Sequence, residues 1–259
     1  MDSGIGGLSV LSYAMKLFPE AHYIYYADTD NVPYGTKTKD EIIKYADRAA
    51  DFLVKKGVSA IVVACNTATS MAIAYLREKY REIYIVGMEP AVKPAAHDHA
   101  GERILICATP LTIGGEKLHS LIESNFEKDC LMPHLAALPK LVTYAENGIF
   151  DKSTVCGYFS EVFGDKRNYS SIVLGCTHFI YFKDSFIDFF GKCDIIDGTA
   201  GTVNRLFDLL KIKVKIKAEE KKDTEESVEF YRSGRLVEDP ETIAFNRKMI
   251  KRSREMAEM

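Results

Sequence analysis

Short β-branched runs alternate with helical stripes along most of this chain, and that alternation constrains the fold more than any other feature. Between Thr38 and Lys56 the apolar positions Ile42, Ala46, Ala49 and Leu53 are spaced for one face of a helix, which Gly57 stops. A run from Val58 through Ile61, Val62 and Val63 follows and reads as a buried strand. A helix then begins after Asn66-Thr67 and carries Met71, Tyr75 and Leu76. The same rhythm predicts strands over Ile83–Val86, Arg103–Cys107, Ser171–Leu174 and Asp194–Ile196. It predicts helices over Gly115–Phe126, Ser153–Phe163, Phe179–Phe190 and Thr199–Leu210. Strands and helices in this order imply βαβ units and a mainly parallel sheet, so the fold class is α/β.

Two segments match. Ala60-Ile61-Val62-Val63-Ala64-Cys65-Asn66-Thr67 and Ser171-Ile172-Val173-Leu174-Gly175-Cys176-Thr177-His178 share a buried strand, a small residue, a cysteine and a polar pair. They read as equivalent positions in two similar α/β domains that face each other across a central cleft. The expected division is residues 1–88 plus 198–259 for the domain carrying Cys65, and 89–197 for the one carrying Cys176. In open α/β sheets ligands bind beyond the carboxyl ends of the strands, where both cysteines fall. A helix starting just after each thiol would lower its pKa. A single cysteine in such a place is more often a packed small residue, but two in matching contexts point to chemistry. Of the others, Cys107 ends a strand without a polar pair, Cys156 lies in a helix, and Cys130 and Cys193 lie in loops. None of the six forms a CxxC pair, which argues against a zinc ribbon or a thioredoxin-like site.

A chain of 259 residues with 47% hydrophobic content has room for one large core or two modest ones. Its formal charge of −3 gives no reason to expect nucleic acid or an anionic membrane as partner. No apolar run approaches the roughly 18 residues of a membrane span, and no signal peptide opens the chain, so the expectation is a soluble, cytoplasmic protein with no metal. From Lys211, Lys213, Lys215 and Lys217 alternate with apolar residues, which reads as a lysine-guarded edge strand running into a solvated loop up to Glu226. Pro240–Met259 reads as a charged surface helix. His22, His97, His99, His119 and His134 have no partner pattern and read as surface residues.

The N-terminal Asp2-Ser3-Gly4-Ile5-Gly6-Gly7 precedes the stripe Leu8, Leu11, Met15 and Phe18. A glycine-rich turn opening a helix suits a bound carboxylate or phosphate, with Asp2 alternatively a simple helix cap. Val32-Pro33-Tyr34-Gly35 reads as a turn presenting backbone N–H groups and a phenol. Glu146 is either a site carboxylate or an exposed helix end. His178 alternates away from Cys176 unless the strand has already ended.

On Asp2-Ser3-Gly4-Ile5-Gly6-Gly7, Ala27–Gly35, Val63–Ala68 and Leu174–Phe179, in that order and spacing, the chain resembles the glutamate racemases of the aspartate/glutamate racemase superfamily. The likeness extends from residue 1 to about residue 235. It implies two flavodoxin-like domains and a cofactor-independent two-base racemisation of glutamate that supplies D-glutamate for peptidoglycan. It further implies Cys65 acting on the D-enantiomer, Cys176 on the L-enantiomer, and assistance from Asp2, His178 and Glu146. Substrate contacts implied by the same resemblance are Ser3, Tyr34, Gly35, Asn66, Thr67, Thr109, Thr112 and Thr177, and the assembly a homodimer. An aspartate racemase, a silent amino-acid-binding protein and a redox protein using the same thiols are the competing readings. The family carries an apolar strand ahead of its Asp-Ser-Gly motif, whereas this sequence starts at Met1-Asp2. The expectation is a chain that starts late or a first sheet impaired by a missing strand, with Asp2 where order is poorest.

Overall fold

The computed structural model describes residues 1–126, 131–165, 168–211 and 228–259. The chain opens with α1 (Leu8–Leu17), β1 (Tyr23–Ala27), a 3₁₀ turn at Tyr34–Thr36, α2 (Lys39–Lys55), β2 (Ala60–Val63), α3 (Asn66–Lys79) and β3 (Tyr84–Gly87). It continues through α4 (Val92–Asp98), β4 (Ile104–Ala108), α5 (Pro110–Ile113), α6 (Glu116–Asn125), β5 (His134–Ala137), α7 (Pro139–Glu146) and α8 (Lys152–Phe163). Then come β6 (Ser171–Leu174), a 3₁₀ segment at Thr177–Phe182, α9 (Lys183–Phe190), β7 (Asp194–Asp197) and α10 (Thr199–Leu210). The last described elements are β8 (Val228–Arg232), β9 (Arg235–Leu236) and α11 (Pro240–Ala257).

The α/β expectation holds. One sheet runs β5-β4-β6-β7, all parallel. In the other region β2 pairs with β3 and β1 with β8, again in parallel, and among the described strands only β9 turns back. Helix boundaries follow local chemistry. Thr38 and Glu41 form a reciprocal capping box at the start of α2, and Gly57 at φ +75° supplies the left-handed turn after it.

The expected disorder at Asp2 is overturned. The Met1 amine donates to the Val62 carbonyl at 2.7 Å, and Ala64 N–H donates to the Met1 carbonyl at 2.9 Å. On the other side Asp2 N–H donates to the Tyr26 carbonyl at 2.9 Å, and Asp28 N–H to the Asp2 carbonyl at 3.0 Å. Residues 1 and 2 thus lie between β2 and β1 and join the two strand pairs, with Asp2 itself buried. Four ladder hydrogen bonds hold the segment whatever its place in the chain.

Three other expectations change. The helix expected over Phe179–Phe190 is α only from Lys183, since residues 177–182 form a tighter 3₁₀ segment buried on every side. The C-terminal helix is no mere surface element: Asn246, Met249, Ile250, Ser253 and Met256 are buried. It packs on α1 and the 3₁₀ segment, and Arg252 Nε donates to the Tyr181 carbonyl at 2.9 Å. Arg254 Nε likewise donates inward to Ser12 Oγ at 3.1 Å, while Glu241, Arg247, Lys248, Lys251 and Glu255 face solvent. His22 and His97 are exposed but pair with Glu229 and Asp98, and His99 and His134 also have partners. His99 is enclosed between Glu102 and Asp194, and His134 stacks on Tyr169. Cys130 and the lysine-guarded strand beyond Lys211 fall outside the described residues. Among the described residues no helix is long and apolar enough to cross a membrane.

A continuous apolar core ties α1, β1 and α11 to β4, β6, α7, α8 and α9, with Phe159, Phe163, Phe186, Phe189 and Phe190 at its densest point. Cys65 and Cys176, just past the carboxyl ends of β2 and β6, line one shared space.

Candidate active site

Cys65 and Cys176 stand just beyond inner strands of the two parallel sheets. Cys65 caps α3, where its Sγ accepts from Ala68 N–H at 3.4 Å. The expected lowering of this thiol's pKa does not occur. Burial pushes it up to about 12, the nearby Asp2 charge adds to the rise, and the Ala68 N–H bond offsets only part of it. Cys65 is therefore a neutral thiol at physiological pH. Its S–H donates to Ser3 Oγ at 3.9 Å, and Ser3 O–H donates to Asp2 Oδ1 at 3.4 Å. Burial also pushes the Asp2 carboxyl above its ordinary value, although the nearby His178 charge opposes it. Asp2 does not cap α1, whose cap is Gly7. It accepts instead from Gly4 N–H at 2.8 Å.

The strand before Cys176 ends at Leu174, which lets the chain turn so that His178 comes back to the thiol. Sγ of Cys176 lies 3.8 Å from His178 Nδ1, and His178 Nε2 lies 2.6 Å from Glu146 Oε1. The same Glu146 oxygen accepts from Ile5 N–H at 2.8 Å, so Glu146 is no free helix end. Thr177 Oγ1 donates to Asp2 Oδ2 at 3.1 Å. The glycine-rich turn does hold carboxylates, but they are the protein's own, Asp2 and Glu146. A Cβ on Gly4 would lie 1.8 Å from Glu146 Oε1, and one on Gly6 only 2.3 Å from Thr177 Oγ1. The glycines serve close approach of the two halves of the site.

Burial alone would lower the His178 pKa, yet its hydrogen bonds to Cys176 and Glu146 outweigh that and hold it well above an ordinary histidine. A raised pKa contributes stability that is complete below the unfolded value of about 6.5 and is lost as pH climbs through the folded value. Glu146→Gln removes the charged partner. The wild-type advantage over this variant is expected to be about 2–3 kcal/mol near pH ~6 and to shrink toward pH ~9. Chemical denaturation at the two pH values measures it, and an advantage that grew with pH would contradict the raised pKa.

Between the thiols lies a small, tightly closed cavity lined by Ser3, Pro33, Tyr34, Gly35, Cys65, Asn66, Thr67, Thr109, Val142, Cys176 and His178. Nine of these are residues expected from the sequence. Asp2, Glu146 and Thr112, also expected, stand behind the lining and bond to Ser3, His178 and the Thr67–Thr109 pair, while Thr177, expected too, bonds to Asp2. Thr67 Oγ1 lies 2.9 Å from Thr109 Oγ1 and 3.3 Å from Thr112 Oγ1, a cluster of hydroxyls contributed by both sheets. Asn66 is buried, yet among the described residues neither its side-chain oxygen nor its nitrogen has a partner. Such a buried amide costs free energy until a ligand satisfies it. The Tyr34 phenol, expected to face a ligand, instead donates to Asp28 Oδ2 at 2.7 Å. Val142 and Pro33 were not anticipated. Val142 sits on α7, whose Leu141, Val142 and Ala145 carry a short helical stripe that escaped notice beside Pro139.

The arrangement sets two thiols, each with its own acid/base neighbour, around a small space rich in hydroxyl and amide donors. The profile of the Asp/Glu/Hydantoin racemase family matches residues 9–206. A glutamate racemase from Lachnospira eligens is 47% identical over 263 residues, covering 100% of this chain and 98% of its own. The crystal structure of Escherichia coli glutamate racemase with L-glutamate and the activator UDP-MurNAc-Ala aligns with a TM-score of 0.75 at 25% identity, covering 91% of this chain and 97% of that one. Francisella tularensis glutamate racemase with D-glutamate aligns with a TM-score of 0.73 at 26% identity, covering 97% and 92%. By sequence along most of its length and by its two flavodoxin-like α/β units, the chain belongs to the Asp/Glu/Hydantoin racemase family.

Proposed function

We propose that this protein interconverts L- and D-glutamate by a two-base mechanism in which Cys65 and Cys176 act from opposite faces of the substrate. The observation that carries this reading is that both thiols line one cavity, each reached from a different sheet. Racemisation removes a proton from one face of Cα and delivers another to the opposite face, so two acid/base groups accomplish it without rotating the substrate. Cys176 takes the proton of L-glutamate while Cys65, a thiol in the resting protein, donates to the far face; the roles reverse for D-glutamate. Ser3 links Cys65 to Asp2, and His178 links Cys176 to Glu146, so each thiol has a route for its proton.

The Cα–H bond is much less acidic than a thiol, and catalysis depends on stabilising the carbanionic charge as it forms. The hydroxyls of Thr67 and Thr109 and the amide of Asn66 suit the substrate carboxylates. The scheme calls for no cofactor. The similarity to glutamate racemases supports glutamate as substrate, and with it a role in supplying D-glutamate for peptidoglycan in the cytoplasm as a homodimer. The domain division that goes with this reading is 1–88 plus 198–259 against 89–197.

Incubation with L-glutamate and with L-aspartate in D₂O tests the substrate assignment. Deuterium is expected at Cα of glutamate. Exchange into aspartate but not glutamate would favour a sister racemase of shorter-chain acids.

A further inference from the structure

We propose that Asp28 is a positioning residue for this reaction: from behind the cavity wall it holds the Pro33–Gly35 turn over Cys65. The proposal rests on the racemase reading for its kinetic consequence, but its geometry does not depend on the substrate.

Asp28 is fully buried, and its carboxylate collects donors from four side chains on three parts of the fold. Asn31 Nδ2 donates to both oxygens at 3.1 and 3.0 Å, and Tyr34 O–H donates to Oδ2 at 2.7 Å. Arg48 on α2 donates to Oδ1 at 2.8 Å, and Ser233, in the turn between β8 and β9, donates to Oδ1 at 3.0 Å. Arg48 is half exposed, so solvent screens its charge and the neutral donors carry much of the burden. Hydrogen bonds to an ionised carboxylate are about twice as strong as neutral ones, so the charge at Asp28 makes the grip of the phenol firm.

The turn is held on its other side as well. A Cβ on Gly35 would lie 2.9 Å from Thr109 Cβ, so the turn rests against the hydroxyl cluster of the opposite sheet. The Asp28 N–H also donates to the Asp2 carbonyl at 3.0 Å, which ties the same point to the residue behind Ser3 and Cys65. With its phenol committed to Asp28, Tyr34 offers the cavity its backbone and ring. A loosened Asp28 would free the turn, unmask Cys65 and enlarge the substrate space.

Iodoacetamide labelling of the full chain with peptide mapping reads Cys65 and the fully buried Cys107 separately. Asp28→Asn and Tyr34→Phe are each expected to speed Cys65 alkylation about tenfold while Cys107 stays protected, a factor corresponding to the loss of one charge-assisted bond. With glutamate, Asp28→Asn is expected to raise KM about tenfold with a smaller fall in kcat, and Tyr34→Phe added to it adds little, as for two ends of one interaction. Unchanged Cys65 labelling in both variants overturns the assignment, as does an unchanged KM. Parallel unmasking of Cys107 also overturns it, because that marks general loosening. The labelling needs no substrate, so a wild-type protein inert toward glutamate whose Cys65 is still selectively unmasked by Asp28→Asn would sink the substrate reading and keep this one.

Discussion

Cys65→Ser and Cys176→Ser are each expected to lower kcat for glutamate racemisation by about a thousandfold or more, within the range that general acid–base groups contribute. The substitution is nearly isosteric, so the fold around either site has little reason to change. Serine keeps a hydrogen-bonding group but is a much weaker acid than a thiol with its unperturbed pKa of about 8.5. Loss of one base stops the full inversion while leaving the other face served. Cys65→Ser is therefore expected to retain some exchange of the L-glutamate α-proton, and Cys176→Ser of the D-glutamate α-proton. Chiral chromatography follows inversion, and NMR in D₂O follows exchange. Rates unchanged in both variants would leave the fold as a binding protein and remove the two-base scheme.

Gly6→Ala is the second large effect. A methyl group there would meet Thr177 Oγ1 at 2.3 Å, His178 Nδ1 at 2.5 Å and His178 Cε1 at 2.8 Å. None of these atoms moves cheaply. Thr177 is bound to Asp2, and the buried His178 ring is held between Cys176 and Glu146. The turn itself cannot retreat, because Tyr25 O–H donates to the Gly4 carbonyl at 2.6 Å and Tyr181 O–H to the Ile5 carbonyl at 2.9 Å. Overpacking of this kind costs about 1–3 kcal/mol, and displacing His178 from the thiol lowers kcat by about a hundredfold. The control is the exposed Gly157 on α8, where an added methyl group would meet open space. Gly157→Ala is expected to leave kcat unchanged and raise stability by up to about 1 kcal/mol. Thermal unfolding and steady-state rates on the two variants check both expectations. A Gly6→Ala protein with wild-type kcat would mean that the site tolerates movement of His178.

The cysteine pair was legible because its signal is local: each thiol follows a β-branched strand by two residues and precedes a polar pair. The helices with clear stripes, α2 and α10, were legible for the same reason. What escaped is non-local. Asp28 meets Asn31 and Tyr34 within its own Ala27–Gly35 segment, but Arg48 and Ser233 reach it from 20 and 205 residues away, outside any local window. The order of Asp2 comes from β1 and β2 on either side, and β1 pairs with β8 from near the other end of the chain. The Cys65 pKa went the wrong way because the start of α3 was visible in the sequence whereas the burial and the neighbouring Asp2 charge were not. The short helix α7 hid behind Pro139, a residue well suited to the first helical turn.

The central claim is that two different groups serve the two faces of Cα. Racemisation of protiated L-glutamate in D₂O, stopped at low conversion, tests it by the deuterium content of each enantiomer. The two-base account predicts D-glutamate labelled with solvent deuterium at Cα while the recovered L-glutamate stays protiated. Substantial protium carried into D-glutamate, or deuterium washed equally into both pools, would mean a single shuttling base and would contradict it.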